Sequence, residues 1–205
     1  MTFRYFICGV AAVIALASCQ DEDNTLEEYP NWQVTNDDYF AGLVVDAMTK
    51  ISTDESSRWA LFPFYSFPAE ANVELKYSDY IVVQKLEDAP EYETTSPMLT
   101  DSIEVHYVGR LLPSTTYTGG YEFDRSFPEP FDPATATPAK FSVKGVVKGF
   151  ATALMNMHRG DRWKVYIPYQ LGYGSTATTN IPAFSTLIFD IRLEDFWFKK
   201  KDDRL

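Results

Sequence analysis

The sequence predicts an α+β fold in which an antiparallel sheet wraps one short helix, with a small helical extension in front. Three observations carry this. The runs SIEVHYVGRLL, DRWKVYIP and TLIFDIRLEDF alternate apolar and polar residues at the period of a strand. The run VKGFATALMNMHRG instead carries a single stripe at helical spacing. A second helical stripe lies upstream of all the strands, at residues 36–51.

Residues 1–18 read as a secretory leader. Arg4 precedes an uncharged apolar run from Tyr5 to Ala17, which is short for a membrane span and is followed by acids. Its end, LASC at residues 16–19, resembles the lipobox of bacterial lipoproteins. That resemblance implies cleavage before Cys19 and a lipid on its thiol. The other cysteine, Cys8, falls inside the leader, so the exported domain must rely on its core rather than on disulfides. Residues 19–35 are acidic and polar and read as a tether. The acids directly behind Cys19 also resemble the surface-export signal of Bacteroidetes-type lipoproteins.

Residues 36–78 form a helical and aromatic extension. Phe40, Val44, Ala47, Met48 and Ile51 share one stripe. Asn36 is expected to cap the helix, with Asp37 and Asp38 at the positive end of its dipole and Lys50 at the negative end. The run RWALFPFYSFP, residues 58–68, holds five aromatics and two prolines, and the prolines deny it a helix. Its rings are expected to pack on the main domain. The alternative is that they meet a client or a second copy, making residues 36–68 a homodimer surface.

The main domain is expected over residues 79–198, with 199–205 a charged tail. SDYIVVQKLE opens the strands. In the next strand Ile103, Val105, Tyr107 and Leu111 share one face, opposite Glu104, His106 and Arg110. Tyr107 should point inward and His106 outward. Trp163, Val165 and Ile167 repeat the pattern, and so do Leu187, Phe189, Ile191 and Leu193 against Asp190, Arg192 and Glu194. The sheet should therefore have one apolar face and one wet face. Phe150, Ala153, Leu154 and Met157 supply a helix to cover the apolar one, with His158 and Arg159 in its last turn and Gly160 at its end. Residues 112–140 form a long loop region with five prolines, and it contains YEFDRSF.

The formal charge of −11 argues against nucleic acid as a partner and against electrostatic attachment to anionic lipid. The acid excess reads as a solubility device, and most carboxylates as solvated faces. No Gly-rich phosphate loop and no Ser-centred nucleophile elbow is present. The two cysteines form no ligand cluster and the two histidines are not spaced as a metal pair, so no metal and no cofactor is expected. What remains is a set of apolar and aromatic side chains that should converge: Tyr107, Phe123, Val146, Val147, Phe150, Tyr173 and Phe189, with Asp124 as the lone charge beside them. Gly172 and Gly174 flank Tyr173, so the backbone bends tightly there and aims the ring. An aromatic-lined pocket with few polar handles suits proline, which is apolar, rigid and lacks an N–H.

VHYVGRLL, YEFDRSF, VVKGFATALMNMHRGDRWKVYIPYQLGYG and IPAFSTLIFDIRLEDF together resemble the FKBP-type peptidyl-prolyl cis–trans isomerases, over roughly residues 79–198. The resemblance implies a half-barrel of antiparallel strands around one short helix. It also implies catalytic or pocket roles for Tyr107, Phe123, Asp124, Val147, Phe150, Tyr173 and Phe189, and substrate-contacting roles for Phe141, Val146 and Ile181. Phe150 takes the place of the aromatic floor, which is often Trp in the family. The stretches Leu112–Phe123 and Asp124–Phe141 are longer than is common there, and STATTN at 175–180 lacks the usual Gly-rich run.

The chemistry implied is rotation about X–Pro bonds in proline-containing polypeptides, by transition-state complementarity and without a covalent intermediate. The lipobox implies a protein anchored by its lipid alone in the bacterial outer membrane, facing the periplasm or the cell surface. The alternative reading is a non-catalytic chaperone or binding module of the same fold at the cell envelope.

Overall fold

The computed structural model describes residues 26–67 and 74–198. The leader, the lipidation site Cys19 and the tail 199–205 lie outside the described residues. Among these residues two α-helices and seven strands follow one another: α1 (Trp32–Thr53), β1 (Trp59–Pro63), β2 (Tyr80–Glu87), β3 (Asp101–Arg110), β4 (Glu122–Arg125), β5 (Ala139–Ser142), α2 (Lys148–Leu154), β6 (Arg162–Ile167) and β7 (Leu187–Phe198). The strands form one antiparallel sheet in the order β1-β2-β6-β7-β3-β4, and β5 also pairs with β3. β7, last in the chain, lies in the middle and joins β1-β2-β6 to β3-β4-β5.

The predicted inward residues face one core. Ile103, Val105 and Tyr107 of β3 meet Trp163, Val165 and Ile167 of β6 and the β7 set, under Phe150, Ala151, Ala153 and Leu154 of α2. Gly149 sets how closely α2 lies on the sheet. A Cβ there would come within 2.3 Å of Ile167 Cγ2, so the helix rests against β6 at a distance only glycine permits.

Several expectations need correction. The second face of the sheet is not wet throughout. Phe40, Val44 and Ala47 of α1 pack there on Val82 and Tyr166, forming a second apolar cluster. His106, expected outside, is buried between the rings of Phe127 and Phe131, at 5.8 and 5.0 Å between centroids. The long proline-rich loop supplies that cover, which strand periodicity alone does not reveal. A cleft of about 770 Å³ opens beside it, walled by His106, Tyr166, Arg162 and Asp190.

α1 starts at Trp32, not at Asn36, so the boundary placed between tether and extension falls inside a helix. Asn31 occupies the cap position, and Asn36 lies buried one turn in. Burial of Trp32, whose indole N–H donates to Ser185 Oγ at 2.8 Å, anchors the earlier start. Of the predicted stripe, Met48 and Ile51 are exposed.

The aromatic run 58–68 packs on the main domain as expected, and it does so by contributing the edge strand β1. It pairs with β2 over Trp59–Pro63, and Pro63 falls at its last position, where a missing N–H is tolerated. Its rings turn inward: Phe62 stacks on Trp163 at 5.6 Å and Trp59 on Tyr166 at 6.1 Å. Among its aromatics, Phe64 and Tyr65 also pack on the main core.

α2 is shorter than expected, ending at Leu154, so His158 and Arg159 follow it rather than close it. The buried Asp161 carboxylate accepts the backbone N–H of His158 and of Ala89, both at 2.7 Å, and this draws the chain out of the helix. Gly160, with φ at 101°, makes the turn.

Candidate active site

β3 carries Tyr107 inward, and the short β4 carries Phe123 and Asp124 alongside it. Two devices hold β4 in place. Glu122 accepts hydrogen bonds from both Arg110 and Arg125, and the Arg125 bonds hold its carboxyl below the usual carboxylate range. At the end of β4, Ser126 Oγ accepts the Tyr107 N–H at 2.8 Å while the Ser126 N–H donates to the Tyr107 carbonyl at 3.0 Å. Asp124 thus sits opposite Gly109, two residues from Tyr107 along β3. The Tyr107 hydroxyl donates to Asp124 Oδ2 at 2.7 Å. Burial, and then this bond to a carboxylate, push the Tyr107 phenol far above its ordinary value.

Four further aromatic side chains converge around that pair. Phe189 is their hub, with Phe150 at 4.9 Å, Phe123 at 5.4 Å and Tyr107 at 6.1 Å between ring centroids. Tyr107 also meets Phe150 at 6.1 Å and Phe141 at 6.0 Å. Most of these contacts are edge-to-face, the arrangement that ring quadrupoles favour. Phe150 enters from the first turn of α2, directly after Val147, which occupies the cap position of that helix. Val146 and Val147 pack partly buried on the same core, and Ile181 is buried in it.

Tyr173 is half-exposed, in the loop after β6. Gly172 and Gly174 both donate their N–H to the Tyr169 carbonyl, and Gly174 has φ at 73°, so the loop folds back tightly on each side of the ring. Partial burial, then the nearby Asp124 charge, raise the Tyr173 phenol above its ordinary value. The structure therefore brings Tyr107, Phe123, Asp124, Phe141, Phe150 and Phe189 into one cluster, with Val146, Val147 and Ile181 in its packing shell and Tyr173 next to Asp124. The remaining sequence candidate, Cys19, lies outside the described residues.

Sequence reasoning missed three supports. Gly109 is the first: a Cβ there would lie 2.6 Å from Phe123 Cζ and 2.8 Å from Phe189 Cε1, so its bare backbone makes room for the two rings to meet. A lone glycine within an alternating strand was the available signal. The second is Asn36, which accepts the Thr186 N–H at 2.7 Å through Oδ1 and donates to the Trp32 carbonyl. With Trp32 on Ser185, it ties α1 to the loop between Ile181 and β7. The third is Ser126. For Asn36, a partner 150 residues away leaves no trace in local patterning.

Comparison with known proteins fits this geometry. The family model described as FKBP-type peptidyl-prolyl cis-trans isomerase matches residues 93–194. The FKBP-type 22 kDa peptidyl-prolyl cis-trans isomerase of Escherichia coli K12 is 39% identical over 102 residues, 49% of this chain and 44% of that protein. The macrophage infectivity potentiator of Trypanosoma cruzi is 39% identical over 99 residues, 48% of this chain and 44% of that protein. A solved peptidyl-prolyl cis-trans isomerase from Pseudomonas syringae superposes with a TM-score of 0.48 at 23% identity, over 76% of this chain and 93% of that one. The chain spans less than half the length of the curated relatives it matches here. β3 to most of β7, with α2 and every aromatic of the cluster, fall inside the matched range, and the domain that residues 93–194 form belongs to the FKBP-type peptidyl-prolyl cis-trans isomerase family.

Proposed function

We propose that this protein is a peptidyl-prolyl cis–trans isomerase acting on X–Pro bonds of exported or envelope polypeptides. One observation carries the reading: a cluster of aromatic rings floored by Phe150, with a single carboxylate, Asp124, held at its rim by the buried Tyr107 hydroxyl.

The barrier to X–Pro rotation is about 18–20 kcal/mol and arises from amide resonance. A twisted amide is less dipolar than a planar one, so a dry aromatic pocket disfavours the planar form relative to it. Phe123, Phe150 and Phe189 grip the proline ring in this reading. The Val147 N–H and the Tyr173 hydroxyl hold the flanking carbonyls, and Asp124 faces the polarised substrate carbonyl. Phe141, Val146 and Ile181 complete the walls. No proton leaves the enzyme in the reaction, because binding the twisted state is the whole of the catalysis.

The test is a protease-free, proline-limited refolding assay with the full chain. Acceleration of the slow phase supports the isomerase. A folded protein that leaves the slow phase unchanged sinks it, and moves the reading to a non-catalytic binding module of the same fold.

The LASC sequence at residues 16–19 supports an outer-membrane lipoprotein anchored through Cys19 and facing the periplasm or the cell surface. Among the described residues no helix is long and apolar enough to cross a membrane. Metabolic labelling with a radioactive fatty acid, lost in Cys19→Ala, tests the anchor. A homodimer through residues 36–68 is supported by the exposed Val45, Met48 and Ile51 of α1, the aromatic rings of β1 being used within the chain. Sedimentation of the wild type against Met48→Glu tests it.

A further inference from the structure

A second concavity, of about 450 Å³, adjoins the aromatic cluster through Ile181. Its walls come from three places in the chain. Glu28 and Tyr29 precede α1, Tyr117 and Tyr121 precede β4, and Ile181 and Pro182 precede β7. Tyr121 stands two residues before Phe123, and both pack against the main core, which sets the concavity beside the proposed proline pocket. Glu28 and Tyr29 lie outside the range matched by the family.

The charge of the walls is one-sided, with neutral Thr116, Thr178, Thr179 and Asn180 beside the rings. Tyrosine rings line it, with the Tyr117 and Tyr121 centroids 4.9 Å apart, and a single carboxylate stands among them with no basic side chain. The carboxylate is fixed. Ser114 Oγ and the Thr116 N–H both donate to Glu28 Oε1, and these bonds hold the carboxyl below its usual range, so it is ionised at neutral pH. With both bonds on Oε1, Oε2 remains as acceptor for a ligand. The segment itself is fastened, because Thr115 bonds the backbone of Glu27 and Glu28. Tyr29 packs edge-on against Trp32 at 4.7 Å. Ring faces beside a fixed carboxylate attract a cation, and a long side chain can lay its methylene stem on Ile181 and Pro182 while its head reaches the rings.

We propose that this concavity is a specificity subsite that takes a lysine or arginine side chain of the client, a few residues from the isomerised proline. The proposal rests on the proline-pocket reading above.

The experiment uses the full-length protein and single-proline peptides carrying Lys, Ala or Glu at each position up to the third on either side of the proline. Affinity is read by NMR titration and isomerisation by exchange spectroscopy. At one position Lys should bind at least about fivefold more tightly than Glu, and the preference should shrink with added salt. Glu28→Gln keeps the acceptor for Ser114 and Thr116, so the fold should hold while the Lys-to-Glu ratio falls toward one. Tyr117→Leu, at an exposed ring, should lower the ratio by about half or more. A Lys preference at no position, or one that survives Glu28→Gln, overturns the proposal. Preference without turnover keeps the subsite and removes the isomerase reading; turnover without preference does the reverse.

Discussion

Tyr107 and Asp124 form a hydrogen-bonded pair, 2.7 Å from hydroxyl to carboxylate, in which the tyrosine is buried and the aspartate exposed. The buried partner fixes the charge while leaving it available at the rim. Asp124→Ala should lower kcat/KM by at least about 10-fold, or ~1.4 kcal/mol of transition-state stabilisation, with little change in Tm. Tyr107→Phe should give a smaller loss, because the carboxylate stays but is no longer oriented. Refolding rates of the three proteins side by side check the order.

The same pair predicts the pH response. Burial raises both the Tyr107 and the Tyr173 phenols above their ordinary values, so neither loses its proton below about pH 10. The isomerisation rate should be flat from about pH 6 to pH 9. A steep bell over that range would contradict a mechanism free of proton transfer.

Gly109 should tolerate no side chain. In Gly109→Ala the new methyl would press on the Phe123 and Phe189 rings, forcing a shift that costs about 1–3 kcal/mol. Because the displaced rings are the proposed proline grip, peptide affinity should fall along with Tm. A change in Tm with unchanged affinity would separate the rings from binding.

Asn36 predicts a stability effect at a distance. Asn36→Ala leaves the buried Thr186 N–H without its acceptor, at about 1–3 kcal/mol. For a chain of this length that corresponds to a fall in Tm of several degrees, roughly 2–4 °C per kcal/mol. Hydrogen exchange should rise first at Thr186 and in the Ile181 loop.

Glu122 predicts loss of order in acid. Its folded pKa lies below the unfolded value because Arg125 and Arg110 bond the carboxylate. Its contribution is therefore present above about pH 4.5 and lost as pH falls through the lower, folded value. β4 should loosen in that window, and Glu122→Gln should flatten this part of the acid stability curve.

The sequence made the inner face of the sheet readable, because strands leave a period of two and α2 leaves a stripe. Tyr107, Phe150 and Phe189 are where those periods put them. The second face was not readable. His106 is covered by Phe127 and Phe131, which belong to an irregular loop with no period to follow. The roles of Trp32 and Asn36 depend on contacts with Ser185 and Thr186 that join the two ends of the chain. β1 was hidden by its prolines, which exclude helix but are compatible with an edge strand.

The central place of β7 has a consequence for how the chain is made. Synthesis delivers β1, β2 and β6 on one side and β3, β4 and β5 on the other, yet only β7 zips the halves together, and it comes last. Until that strand has emerged, β6 and β3 each lack one neighbour, the two halves have nothing to join them, and α1 lacks Ser185 and Thr186 to hold it. The two halves of the nascent chain therefore close on each other only in a late, non-local step of high contact order. A polypeptide with that habit remains threadable while it is being synthesised, and a ribosome stalled before Leu187 should expose a protease-sensitive chain rather than a partly formed domain.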